Sequence, residues 1–122
     1  MKKIYLASPY SHPNKIVCEN RFRAACRAAA ILMSQGYLVF SPIAHSHPIA
    51  QYLDNHLDLD FWLKMDMSFI DLWADEMWIL TIEGWKESKG IAAERKRADR
   101  IGMPVVEYNL CDNDEEPGDP YP

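Results

Sequence analysis

Four short runs rich in β-branched and aromatic residues, each parted from the next by a stretch of helical character, constrain this chain more than any other feature. The runs are Lys3–Ser8 (KIYLAS), Tyr37–Ser41 (YLVFS), Glu76–Ile82 (EMWILTI) and Pro104–Tyr108 (PVVEY). Between them a helix is expected from about Asn14 to Gln35, rich in Ala and ended by Gly36, and another over Leu59–Trp73. A third is expected over Ser88–Gly102, with a Ser N-cap and a Gly stop. Pro42–Pro48 (PIAHSHP) reads as an irregular loop, with a short helical piece over Ile49–Asn55. Strands that alternate with helices predict a parallel sheet with helices on both faces, because parallel neighbours need crossover connections. The expectation is a three-layer α/β sandwich on a four- to five-stranded parallel sheet.

Two acids stand where that pattern asks for apolar side chains. In Ser88–Gly102 the apolar stripe runs through Ile91, Ala98 and Ile101, and Glu94 falls on it. The remaining charges of this helix mostly take the other faces. Gly90 lies one turn before Glu94 on roughly the same side. Helical side chains lean toward the N-terminus, so the missing side chain at Gly90 leaves open space before the carboxylate. In Leu59–Trp73 the stripe is Trp62, Phe69, Ile70 and Trp73, and Asp66 sits in its middle, while Asp71 points away as a solvated charge. A buried carboxylate must be paired, hydrated or used. Either acid also reads as a structural one, Glu94 snorkelling or salt-bridged at the stripe's edge, Asp66 capping a loop or pairing with an Arg.

With 122 residues the chain is expected to form one domain over 1–110, followed by an acidic tail over 111–122. The net charge of −5 comes from that tail: Cys111–Pro122 holds five acids and no base, so the remaining 13 acids balance 13 Lys and Arg. No basic face for a nucleic-acid polymer is implied. No apolar run reaches membrane-spanning length and no signal peptide opens the chain, so no membrane partner and a cytoplasmic location are expected. Cys18 and Cys26 lie about 12 Å apart on the first helix, too far for a disulfide, and read as small buried residues. His45-Ser46-His47 lacks a third ligand at matching spacing and reads as a loop pair rather than a zinc site. The first loop has the glycines of neither a dinucleotide fingerprint nor a P-loop.

In open parallel sheets of flavodoxin-like or Rossmann-like type, ligands bind at the carboxyl ends of the strands where strand order reverses. The loops Ser8–His12 and Glu83–Ser88 are then the walls of a site, and Glu94 leans toward it. Tyr5-Leu6-Ala7-Ser8-Pro9-Tyr10-Ser11, coupled to Ser88-Lys89-Gly90-Ile91-Ala92-Ala93-Glu94, resembles the nucleoside 2-deoxyribosyltransferase superfamily over about Lys2 to Tyr108, in the manner of a short bacterial branch. The resemblance implies the same α/β fold, assembly as a homodimer or larger homo-oligomer, and a small-molecule nucleoside or nucleotide as partner. It implies Glu94 as the nucleophile, Tyr5 as the tyrosine that orients it, and Asp66 as the acid that contacts the base. Ser88 takes the place of an Asp in base-swapping members and of a Ser in the monophosphate hydrolase.

The expected chemistry is cleavage or transfer at an N-glycosidic bond through a glycosyl-enzyme, with no metal or organic cofactor required. Ser8, Ser11 and the Ser88 helix start are candidates to hold a 5′-hydroxyl or phosphate. Tyr10 or Trp85 are candidates to stack on the base, with core packing as the alternative for each aromatic. The alternatives at the level of function are a non-catalytic nucleotide-binding module, and a 5′-monophosphate N-glycosidase rather than a base-exchange transferase.

Overall fold

Every helix among the described residues begins on a short polar side chain that accepts a hydrogen bond from its own first turn. In the computed structural model, which describes residues 1–54 and 58–110, the caps are Asn14, Ser41, Asp58 and Ser88. Each satisfies one of the amides that a helix start leaves without a partner. The helices so begun are α1 (Lys15–Ser34), α2 (Pro42–Ala50), α3 (Leu59–Leu72) and α4 (Lys89–Arg100). The strands are β1 (Lys3–Ala7), β2 (Leu38–Phe40), β3 (Glu76–Leu80) and β4 (Val105–Tyr108). All pair in parallel in the order β2-β1-β3-β4, with Tyr5 opposite Met77 and Ala7 opposite Ile79.

The strand period of two sorts side chains onto two faces. Tyr5, Ala7, Met77 and Ile79 point toward α3 and α4, where they pack with Ile70, Ile91 and Ala98. Leu6 and Leu80 point the other way, onto Ala24, Ala28, Ala29 and Leu32 of α1. Alanines along α1 let the helix come close to the sheet. The result is the expected three-layer α/β sandwich, with four strands among the described residues. No helix among them is long and apolar enough to cross a membrane.

Four expectations need correction. Pro42–Pro48 is not a loop: α2 starts at Pro42, because Ser41 caps it and proline suits a first helical position, where no amide partner is needed. The helical piece expected over Ile49–Asn55 is accordingly the end of α2 and a turn through residues 51–53; Asn55 and the acidic tail lie outside the described residues. Asp71 lies exposed at the surface as expected, where Arg97 donates to both its oxygens at 2.7 and 2.8 Å and ties α3 to α4. Ile101 leaves the apolar stripe and is exposed, and Cys18 and Cys26 are half-buried free thiols.

Ile79 is fully buried on the central β3 strand. Ile79→Ala is expected to lower unfolding free energy by about 2–5 kcal/mol in urea titrations, the range for opening a cavity in a packed core. Arg97→Ala, which breaks an ion pair in contact with solvent, is expected to change it by only a small fraction of that.

Candidate active site

Strand order reverses between β1 and β3, and there the loops after the two strands part. A cavity of about 570 Å³ opens at this point, a size that suits a small organic ligand. One wall is polar, with Ser8 and Ser11 from the loop after β1, Arg21 from α1, and Ser88 and Lys89 from the start of α4. The facing surface is largely apolar and comes from α2 and α3, with Ile43, Leu59, Trp62 and Leu63. Asp66, Gly90 and Glu94 line the same space.

Glu94 is 4% exposed, and its Oε2 accepts a hydrogen bond from the Tyr5 hydroxyl, itself fully buried under the sheet. Tyr5 stands behind Glu94 and does not line the cavity. Burial, then the charge of Glu94, holds the phenol well above its usual range, so it acts as a donor. Burial pushes Glu94 up to about 8, against the hydrogen bond from Tyr5 and with the help of Asp66. Asp66 is 8% exposed and burial alone raises it to about 7. The charge of Asp66 is one cause of the rise at Glu94, so the protons on the two carboxyls are linked. Burial holds a proton most firmly on Glu94, but only Glu94 receives a donated bond; Asp66 Oδ1 is buried with no hydrogen-bond partner among the described residues. The bond from Tyr5 favours the singly protonated form with the charge on Glu94 and the proton on Asp66, against the burial that favours the reverse.

The remaining residues named from sequence, Ser8, Tyr10, Ser11, Ser88 and Gly90, all line the cavity. Ser8 Oγ is buried and unpartnered among the described residues, and Ser88 Oγ accepts from the Ile91 amide as the cap of α4. A Cβ at Gly90 would meet Ser88 Oγ at 3.7 Å and Glu94 Oε1 at 3.9 Å, ordinary contact distances. The fold therefore does not need glycine there; the space it leaves lies directly before the carboxylate. Trp85 does not line the cavity and packs on the core beneath α3 and α4 instead.

Several lining groups were not named from sequence. Arg21 reaches across from α1 and donates to the carbonyls of Ser11 at 2.9 Å and Tyr10 at 3.4 Å. Gly84 in the loop after β3 has φ +93°, and a Cβ there would stand 2.2 Å from Arg21 Nη2. Glycine at 84 thus leaves the guanidinium its place between the two loops, in a backbone conformation that favours glycine. The one available signal was a glycine in the loop after the third strand. His45 and His47 share no ligand: His45 packs beside Phe40, and His47 bonds to Tyr10 and Glu19. No group of three or more His, Cys, Asp or Glu among the described residues is placed to hold a metal ion.

The four-stranded parallel sandwich has the fold of the nucleoside 2-deoxyribosyltransferase superfamily, as the resemblance implied. Among solved structures the chain is similar to the 2-deoxyribosyltransferase of the psychrotolerant bacterium Bacillus psychrosaccharolyticus, at 26% identity and a TM-score of 0.63, over 88% of this chain and 72% of that one. Residues 2–110 match the family described as Domain of unknown function (DUF1937), and the chain belongs to that family. No curated protein matches it in sequence.

Both carboxyls titrate near pH 4 in an unfolded chain and higher when folded, so the folded state binds more protons between about pH 4 and 8. The sign is then fixed: their contribution to stability is largest at low pH and is lost as pH rises through the folded values. Glu94→Gln removes one of them. Its unfolding free energy relative to wild type is expected to grow by at least about 1 kcal/mol between about pH 5 and pH 8 in urea titrations, one pKa unit being about 1.4 kcal/mol.

Proposed function

We propose that this protein cleaves or transfers at the N-glycosidic bond of a (deoxy)nucleoside or nucleotide. The observation that carries the reading is the buried Glu94 carboxylate, held by Tyr5 and facing the open space before Gly90. The structural likeness to a 2-deoxyribosyltransferase supports glycosyl transfer on nucleosides in general.

Departure of the base builds positive charge on the sugar, and a carboxylate beside the anomeric carbon stabilises it. Glu94 Oε1 bonds to C1′ as the C1′–N bond breaks, and the electron pair leaves with the base. Asp66 delivers its proton to the departing base. Tyr5 keeps Glu94 in one orientation through both steps. In the second step water, or a nitrogen of another base, attacks C1′; the Glu94–sugar bond breaks and Asp66 takes up the proton. The apolar surface of Trp62 and Leu63 offers a place for a flat base, and Ser8, Ser11 and Ser88 offer hydroxyls for the sugar.

A second form of the same reading is hydrolysis of a 5′-monophosphate. Arg21 and Lys89 bring positive charge to the polar wall beside the start of α4, which offsets the lack of basic residues in the first loop. A homo-oligomer belongs to the proposal on the resemblance alone.

The test is a mass-spectrometric screen of deoxynucleosides, ribonucleosides and their 5′-monophosphates, with and without a free acceptor base. Base release or exchange is expected, with kcat/KM peaking between about pH 7 and 8, where the two carboxyls hold one proton between them: the reactive form carries it on Asp66, a second proton removes the nucleophile, and loss of the last removes the acid. Glu94→Ala is expected to lose at least about a thousandfold in kcat, as for loss of a nucleophile. Gly90→Ala is expected to fold normally and to lose binding. Binding without turnover in wild type would leave a nucleotide-binding module.

A further inference from the structure

A second run of hydrogen-bonded groups meets the cavity and takes no part in the steps above. Tyr10 Oη lies 2.7 Å from His47 Nδ1, and His47 Nε2 lies 2.8 Å from Glu19 Oε2. The three residues come from the loop after β1, from α2 and from α1. Tyr10 and His47 line the cavity, whereas Glu19 stands behind them and does not. The imidazole is stacked on Phe22 at 4.1 Å and meets the Tyr10 ring edge-on, so its plane is held as well as its ends.

The sense of each bond follows from what the atoms can do. An ionised carboxylate only accepts, so Nε2 carries the hydrogen. In the neutral ring Nδ1 is then a bare lone pair, and it accepts from the Tyr10 hydroxyl. Tyr10 has a single hydroxyl hydrogen, and His47 takes it. What the phenol oxygen offers to the cavity is acceptor capacity alone. The Tyr10 oxygen therefore lies where the loop after β1 meets α2, the helix that supplies part of the apolar surface proposed for the base.

We infer that Tyr10 is a specificity-determining residue for the base, and that the Tyr10–His47–Glu19 chain selects an amino-bearing base over its keto counterpart. An exocyclic amine donates to the Tyr10 oxygen; a carbonyl at the same place faces lone pairs and leaves both acceptors unsatisfied. This inference rests on the nucleoside reading and adds the class of base to it. Glu19 and His47 are positioning residues, acting on the ligand only through Tyr10.

Binding by calorimetry and turnover, at about pH 8, where free imidazole is neutral, test it with two matched pairs, deoxycytidine against deoxyuridine and deoxyadenosine against deoxyinosine, each also as the 5′-monophosphate. Wild type is expected to favour the amino member by about ten- to hundredfold in Kd or kcat/KM. Tyr10→Phe is expected to bring that ratio to within about twofold. Glu19→Gln touches no ligand, and its amide can donate to Nε2 as well as accept from it, so the tautomer with the hydrogen on Nδ1, which donates to Tyr10 and releases the phenol hydrogen, becomes available. It is expected to lower the ratio as well, a readout that a merely structural Glu19 would not move. Equal handling of amino and keto members by wild type overturns the inference while leaving glycosyl transfer standing, as does a preference unchanged in both variants. Absence of binding and turnover for every nucleoside and nucleotide would overturn both.

Discussion

The bond from Tyr5 to Glu94 joins the first strand to the last helix across 89 positions of sequence, and the site is organised around it. A fully buried phenol needs an acceptor, and a carboxylate buried to 4% exposure needs a donor. Each meets the other's need, so neither can be removed without stranding a polar group inside the sandwich. Tyr5 is held by its neighbours on both sides, paired with Phe40 of β2 and Met77 of β3 in the parallel ladder. Glu94 is held because α4 buries Ile91 and Ala98 on either side of it. The carboxylate therefore has little freedom to turn away from the cavity, and this pre-set orientation is what a nucleophile requires.

The cavity itself follows from topology and from two glycines used in different ways. Reversal of strand order between β1 and β3 parts the loops that follow them. Gly84, at φ +93°, lets Arg21 stand between those loops and hold the carbonyls of Tyr10 and Ser11. Gly90 keeps the space before Glu94 clear, although its neighbours would accept a methyl group. The first glycine serves the walls and the second serves the opening.

Much of this architecture was legible in the residues because it is periodic. The two-residue period of the strands and the amphipathic spacing of the helices placed all four strands and three of the four helices within a few residues. The same spacing showed that Glu94 and Asp66 interrupt buried stripes, which their burial agrees with. The pairing of Tyr5 with Glu94 has no periodic trace and entered only through the family resemblance. The missed helix α2 has a different cause: its two prolines are loop markers by habit, yet Pro42 stands where a helix tolerates proline best, just after a serine cap. Arg21, and the His47–Glu19 chain behind Tyr10, arise from contacts between distant segments that share no local pattern. Such contacts become visible only once the layers are stacked.

The proposed attack of Glu94 on the anomeric carbon can be caught by rapid-quench mass spectrometry of the protein. The protein is mixed with a deoxynucleoside or deoxynucleotide that it turns over, stopped in acid and digested. A mass increase equal to the dehydrated sugar, or sugar phosphate, is expected on the peptide that contains Glu94, formed as fast as base is released. Turnover that leaves the Glu94 peptide unmodified and gives a product of inverted anomeric configuration would contradict it, because direct attack by water would then replace the glycosyl-enzyme.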